Sequence, residues 1–298
     1  MKKNLYVRRV GSIAVIVGLL LAIMLAVGQF VHPSLDEFPK INFPKAGNQE
    51  NMENILNLDN LKLPSDNVAA VYRIKTIDTL QDQANIRDSL SLDDAAVFGT
   101  LSDPNPIASS AVIGYDSNSG RWLYQTDMAF DTGENVPNEQ EAIRIARDFI
   151  STSNLYPVEL LGDPVVAADT SGDGLEEERT VLRRSVYYYP TVDNNPVYGV
   201  FRICIEVGSN GEIVGVEKLA SEYEKVTDVQ LSDLQSVKKD FATQDFMYMG
   251  EDTPQYTELE QAEVGFYADV ESEYIQPVYI ISNADESAAI LIDALNRD

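Results

Sequence analysis

The sequence predicts an α+β protein with one N-terminal transmembrane helix, followed by antiparallel sheets that are each packed by a helix. Three features of the sequence support this prediction. An uncharged, apolar run occupies residues 10–31. Later segments alternate apolar and polar residues and are joined by Gly, Asn and Ser, which is typical of antiparallel strands. Two other segments combine a capping residue with apolar residues at helical spacing.

The composition excludes several classes of function. The chain of 298 residues has 22 Lys and Arg against 48 Asp and Glu, a net charge of −26. Because nucleic-acid binding depends on cationic side chains that neutralise phosphates, we expect no nucleic-acid partner. With one histidine, His32, and one cysteine, Cys204, a single chain cannot form a disulfide, a Cys-His zinc site or a Cys-His dyad. A Ser-His-Asp triad is also excluded, because His32 precedes the predicted folded region.

Residues 10–31 are predicted to cross a membrane. At about 1.5 Å rise per residue, a helix over this run is roughly 33 Å long, which is enough for a hydrocarbon core of about 30 Å. Basic residues precede the run, at Lys2, Lys3, Arg8 and Arg9. Because positive charge stays on the cytoplasmic side, residues 1–9 are predicted to form a cytoplasmic tail. The protein is therefore predicted to be a single-pass protein of the cell membrane, with its C-terminal domain extracytoplasmic.

A cleaved secretory signal is an alternative interpretation of the same run. Ala26, Val27 and Gly28 offer small residues at a spacing suitable for cleavage. The run is longer than the usual signal, which favours retention as an anchor. Both interpretations place the rest of the chain outside the cytoplasm.

The chain after residue 31 is predicted to contain a stalk and three folded stretches. Residues 32–67 have several prolines and no sustained apolar period, which is typical of a stalk or linker. The folded part is predicted to form a first α+β unit over 68–130, a second over 137–225 and a C-terminal unit over 228–298.

The first stretch is predicted to contain both strands and a helix. A strand is predicted over residues 68–74, and a weakly helical pattern covers residues 79–90. Strands at 111–115 and 121–130 are joined by the turn-forming residues 116–120, which indicates a hairpin.

The other two stretches each begin with a capped helix. In the second stretch Asn138 is the predicted N-cap, and Glu141, three residues later, can complete a capping box. In a capping box the side chain of each of the two residues accepts a hydrogen bond from the backbone amide of the other. The buried face of this helix is predicted to hold Ala142, Ile145, Ala146 and Phe149. In the third stretch Ser232 is the predicted cap. Strands are predicted after these helices, at 165–168, 180–189, 197–207, 213–219, 258–267, 277–281 and 288–295.

Part of this pattern resembles a known family. The segments NEQEAIRIARDFI (138–150) and NPVYGVFRICIEVGSNGEIVGVE (195–217) resemble the helix and hairpin of PepSY-like extracytoplasmic domains. YIQPVYI (274–280) resembles a late strand of membrane-anchored bacterial regulators of that kind. The likeness covers residues 137–298. It implies a bacterial, single-pass, outward-facing α+β protein that binds and modulates another protein or a peptidase, with no catalytic residues.

Two short motifs suggest other chemistry. Asp131-Thr-Gly133 resembles the active-site triplet of aspartic proteases, but no second triplet supplies the partner carboxylate, so a polar turn is the preferred interpretation. Residues 169–174 match the first half of a calcium loop, in which Asp169, Asp173 and Glu177 are candidate ligands. Thr180 stands where a bidentate carboxylate is required, so a solvated hairpin tip is preferred over calcium. No cofactor is otherwise expected.

Tyrosines and arginines form the predicted binding surface. Strict alternation along residues 180–189 and 197–207 places them opposite the apolar faces of these strands. The candidate binding residues are Arg183, Tyr187, Tyr189, Tyr198 and Arg202. Both residue types are enriched at protein interfaces. The alternative is that the tyrosines pack against another part of the chain, because tyrosine favours strands in general.

These observations predict a binding or regulatory protein rather than an enzyme. The expected partners are the lipid bilayer, through residues 10–31, and an extracytoplasmic protein or peptide that docks on the tyrosine-bearing face or on a strand edge. Two alternatives stay open at this point. One is an envelope hydrolase that uses a pair of carboxylates, and the other is a calcium-binding surface component.

Overall fold

The computed structural model describes residues 37–44, 52, 55–108, 111–126, 133–171, 180–250, 256–269 and 272–297. The chain divides into two units, Met1–Pro39 and Lys40–Asp298. Of the first unit only residues 37–39 are described, so the predicted tail at 1–9 and transmembrane helix at 10–31 lie outside the described residues. In the part that is described, no helix has the length and apolar character needed for a membrane crossing.

The second unit is mostly sheet with few helices, which confirms the α+β prediction. Its α-helices within the described residues are α1 (Thr79–Ser89), α2 (Glu139–Thr152) and α3 (Leu234–Ala242). Its strands there are β1 (Leu56–Asn57), β2 (Val68–Ile74), β3 (Asn105–Ala108), β4 (Ala111–Asp116), β5 (Arg121–Thr126), β6 (Val165–Ser171), β7 (Thr180–Tyr188), β8 (Thr191–Val192), β9 (Asn195–Gly199), β10 (Ile203–Val207), β11 (Ile213–Lys218), β12 (Tyr223–Gln230), β13 (Phe246–Gly250), β14 (Thr257–Glu258), β15 (Gln261–Ala268), β16 (Tyr274–Ser282) and β17 (Ala288–Asp293).

The first sheet has the strand order β3-β4-β5-β11-β10-β7-β6, and all its neighbouring strands are antiparallel. Helix α2 packs against β7 and β10, toward the β6 end of this sheet. The turn between β10 and β11 contains Asn210 and Gly211, whose φ angles are 56° and 80°. These positive angles are the ones that the Asn-Gly pair predicts for a tight hairpin.

The second sheet has the order β12-β2-β16-β15-β9-β8, with β17 beside β16 and β13 beside β17. Helix α3 packs against β17. The chain passes repeatedly between the two sheets: β2, β8 and β9 belong to the second sheet, whereas β3–β7, β10 and β11 belong to the first. The predicted stretches therefore contribute strands to common sheets. For example, β2 of the first stretch pairs with β12 and β16 rather than with the strands next to it in sequence.

The cap of α2 lies where the sequence predicts it. Asn138 is the N-cap, and its side chain accepts a hydrogen bond from the Glu141 amide at 3.0 Å. The Glu141 carboxylate binds Arg144 at 2.7 Å instead of returning to the Asn138 amide. The fully buried residues of this helix are Ala142, Ala146 and Ile150. Half of the predicted capping box is thus formed.

The cap of α3 differs from the prediction by one residue. Asp233 is the N-cap, and its carboxylate accepts from the Ser236 amide at 2.9 Å. Ser232 is buried, and its hydroxyl donates to the Leu295 carbonyl at 2.8 Å. An Asp at the N-cap satisfies a free backbone amide as well as a Ser does. The residue types alone therefore do not show whether position 232 or 233 is the cap.

The predicted continuous strand over residues 197–207 is wrong, because the chain changes sheets inside it. β9 ends at Gly199, which has a φ of 101°, and β10 begins at Ile203. A Cβ at position 199 would lie 2.1 Å from the Ala268 carbonyl oxygen. Only glycine fits this positive φ and close backbone approach.

Residues 55–63 differ from the stalk expected there. Leu56, Leu58 and Leu61 are buried, and they share a core cluster with residues of β13, β16 and β17. β1 also pairs in parallel with β14. Three leucines provide enough apolar surface to hold this segment against the second sheet, although they show no regular period in the sequence.

Candidate functional site

The predicted binding surface lies on the face of the first sheet opposite α2. On β7, the Tyr188 hydroxyl donates to the Ile143 carbonyl and Arg184 donates to the Pro137 carbonyl, so both residues point toward α2. Alternation then directs their neighbours to the other side. We call this side the outer face; its residues are Val165, Asp169, Arg183, Ser185, Tyr187, Arg202, Cys204, Glu206 and Glu217.

Both arginines of the outer face are paired with carboxylates on neighbouring strands. Arg183 Nε lies 2.6 Å from Asp169 Oδ2 and 3.5 Å from Glu206 Oε1. Arg202 Nη2 lies 3.0 Å from Glu217 Oε2. The Arg202 and Glu217 side chains are 36% and 37% exposed, so this pair remains open to solvent. These pairs hold the guanidinium groups in place across the strands.

Tyr187 lies in the middle of the outer face, directly opposite Cys204 in the β7–β10 register. Tyr187 is half-buried, and burial raises the pKa of its hydroxyl. Burial also raises the pKa of the Cys204 thiol to about 12. Both groups are therefore neutral at physiological pH. The thiol is buried and unreactive, since the thiolate is the nucleophilic form.

The other predicted residues lie elsewhere. Tyr189 follows the end of β7 and is 39% exposed. Tyr198 is on β9 in the second sheet, where it packs against a cluster that includes Tyr267 and Ile280. The structure thus brings Arg183, Tyr187 and Arg202 together, with Tyr189 beyond the strand end. Tyr198 is not on this face, because the strand that was expected to carry it is interrupted at Gly199.

The two motif-based candidates fall largely outside the described residues. Asp173 and Glu177 lie there, as do Asp131 and Thr132. Asp169 is described, and its carboxylate binds Arg183. Within the described ranges, no group of His, Cys, Asp and Glu side chains could hold a metal ion. The calcium alternative stays a prediction.

A cavity of about 580 Å³ lies where the two sheets meet, and the sequence did not indicate it. The β4–β5 turn, the end of β2 and the residues Asp269, Ser272 and Glu273 line its walls. Its charged and polar lining includes Arg73, Lys75, Asp116, Ser119, Arg121 and Asp269. We call it the Arg121 cavity. Arg121 is only 5% exposed, and burial lowers the pKa of its guanidinium.

The comparisons with known proteins give limited results. No family model and no curated protein matches the chain. An uncharacterized protein from Eubacterium rectale ATCC 33656 aligns with a TM-score of 0.39 and 11% identity, over 82% of this chain and 88% of that one. The Bacillus megaterium YpeB C-terminal domain aligns with a TM-score of 0.31 and 11% identity, over 75% of this chain and 100% of that one. At these scores neither likeness establishes a common fold.

Proposed function

We propose that this protein is a membrane-anchored, extracytoplasmic binding protein that regulates a protein or peptide partner without catalysing a reaction. Residues 10–31 anchor it in the bilayer, and the folded unit lies outside the cytoplasm. The apolar length of that run and its basic N-terminal flank support this orientation. The sequence resemblance to PepSY-like extracytoplasmic domains is consistent with the same role.

The observation that carries the proposal is the composition of the outer face. Tyr187 lies between two arginines that are held by ion pairs, and Val165, opposite Tyr187, is 56% exposed. Tyrosine and arginine anchor many protein interfaces, because each combines a large contact area with hydrogen-bonding groups. Guanidinium groups already held in position lose little side-chain freedom on binding.

An exposed strand edge supports docking at the same place. Among the described strands, β6 ends the first sheet and pairs on one side only, with β7. Most of its residues are exposed. An extended segment of a partner could add to this edge through main-chain hydrogen bonds while its side chains contact the outer face.

The double variant Tyr187→Ala/Arg202→Ala tests this proposal. In the full-length protein in its membrane, we expect chemical crosslinking to the partner to fall about 30-fold or more, as for hot-spot residues of interfaces. The circular dichroism spectrum and the thermal midpoint should stay close to those of the wild type, since both side chains are only half-buried.

Tyr256→Ala is the matched control, because Tyr256 is highly exposed but lies beside the β1–β14 pair, where its hydroxyl accepts a hydrogen bond from Asn57. It should crosslink to the partner as the wild type does. Undiminished crosslinking by the folded double variant would contradict docking on the outer face, and so would loss of folding in that variant.

A further inference from the structure

The side chain of Arg121 is buried without a partner. Arg121 begins β5 and is 5% exposed, yet no described residue accepts a hydrogen bond from its guanidinium or lies within ion-pair distance of it. The carboxylates of Asp116, Asp269 and Glu217 act on it only at longer range. A buried charge that lacks a counter-ion costs free energy, so a polypeptide rarely retains one without a ligand or a function.

Three other charged groups of the Arg121 cavity, those of Lys75, Arg73 and Asp116, already have partners. Lys75 Nζ lies 2.9 Å from Glu222 Oε2. Arg73 donates to the Tyr274 hydroxyl at 3.2 Å and lies over the Tyr274 ring. Asp116 accepts from the Ser119 hydroxyl at 2.6 Å. Among the described cationic groups of this cavity, Arg121 is the one whose side chain has neither a hydrogen-bond nor an ion-pair partner. A guanidinium matches a planar carboxylate through two parallel bonds.

The charge balance of the cavity restricts the ligand further. Among the described lining residues, three cations (Arg73, Lys75, Arg121) face three carboxylates (Asp116, Asp269, Glu273). The chain as a whole is strongly acidic. These carboxylates oppose a dianion such as phosphate, whereas they favour a ligand that carries an ammonium group beside its carboxylate. Ile77 and Phe201 add apolar surface to the same cavity.

We propose that the Arg121 cavity binds a small zwitterion, an amino acid or a short peptide, whose terminal carboxylate is held by the Arg121 guanidinium. The ammonium group of the ligand faces Asp116 and Asp269, and an apolar side chain contacts Ile77 and Phe201. The volume of about 580 Å³ lies within the range of small-molecule sites. The residues that line this cavity differ from those of the outer face, although the charges of Glu217 and Arg202 on that face also act on Arg121.

Thermal unfolding of the purified full-length chain in detergent tests this inference. The probes are L-leucine, glycylglycyl-leucine, the C-terminal amide of that tripeptide, and sodium phosphate, all at one ionic strength. We expect L-leucine or the tripeptide to raise the midpoint, because a ligand that binds the native state stabilises it. A shift with L-leucine indicates that the ligand is a free amino acid, whereas a shift with the tripeptide indicates that it is a peptide. The amide and phosphate should have no effect.

Two Arg121 variants connect the binding to the guanidinium. Arg121→Met removes a buried, unpaired charge, so the ligand-free variant should unfold at the wild-type midpoint or above it while losing the response to the probes. Arg121→Lys keeps the charge but cannot form two parallel bonds, so its affinity should fall about 30-fold or more. Arg121→Lys tests the inference if Arg121→Met does not fold. Arg147→Met, at an exposed arginine of α2, should respond as the wild type does.

Three results would overturn the inference. The first is the absence of any shift with L-leucine and the tripeptide in the wild type. The second is an equal rise of the midpoint with the tripeptide and with its amide, or a rise with phosphate alone. The third is a wild-type response in a folded Arg121 variant.

Discussion

Replacing Ile150 with alanine is expected to lower the free energy of unfolding by about 2–5 kcal/mol, the usual cost of truncating a fully buried isoleucine. Ile150 lies on the face of α2 that packs on the first sheet, in a cluster that includes Val186 and Ile205. The loss combines the transfer free energy of the removed groups with the cavity they leave. Urea denaturation measures it, and the thermal midpoint should fall by roughly 5–15 °C.

Ile145→Ala is the matched control for this prediction. It makes the same substitution in the same helix, so the gain in helix propensity is the same, but Ile145 is only half-buried. Its cost should be nearer 1 kcal/mol, in the ordinary range for point variants. Equal losses at the two positions would contradict the packing of α2 described above.

Replacing Gly199 with alanine is expected to cost at least about 3 kcal/mol. At a φ of 101°, an alanine is strained, and its Cβ would meet the Ala268 carbonyl oxygen at 2.1 Å. The substitution therefore disrupts the parallel pairing of β9 with β15 at the point where the chain leaves the second sheet for the first. Urea denaturation of the purified variant provides the measurement.

Gly162→Ala is the control for this substitution. Its backbone does not adopt the positive φ range, and the added Cβ would lie 3.2 Å from the Tyr189 carbonyl oxygen. A small shift of the neighbouring chain relieves that contact, so we expect a loss of about 1 kcal/mol. Wild-type stability in Gly199→Ala would rule out the switch between sheets at this residue.

Local patterns in the sequence predicted the elements that depend on local physics. The Asn138 cap and the strand at 68–74 are confirmed, because capping and strand preference are properties of a few consecutive residues. The buried stripe of α2 was predicted less well. Ile145 and Phe149 are only half-buried, whereas Ile150 is fully buried, since the position of the sheet decides which side of the apolar face is central.

Features that depend on the path of the chain through the two sheets were not predictable in the same way. Alternation assumes one continuous strand, so it placed Tyr198 beside Arg202, whereas Gly199 sends the two residues to different sheets. The Arg121 cavity combines residues near positions 75, 120 and 270. No spacing within the sequence brings these segments together. The sequence contains one indication of a buried charge in this cavity: a charged residue begins the otherwise apolar segment Arg121–Leu123.

The outward orientation of the folded unit is the claim on which the proposed function depends, and one engineered cysteine can measure it. The native Cys204 is buried, with a thiol pKa raised to about 12, so it gives little background with a maleimide. Ser102 is exposed and accepts the substitution Ser102→Cys. We predict that a membrane-impermeant maleimide labels this variant as fully in intact cells as after lysis. Labelling that occurs only after lysis would place the folded unit in the cytoplasm and contradict the proposed function.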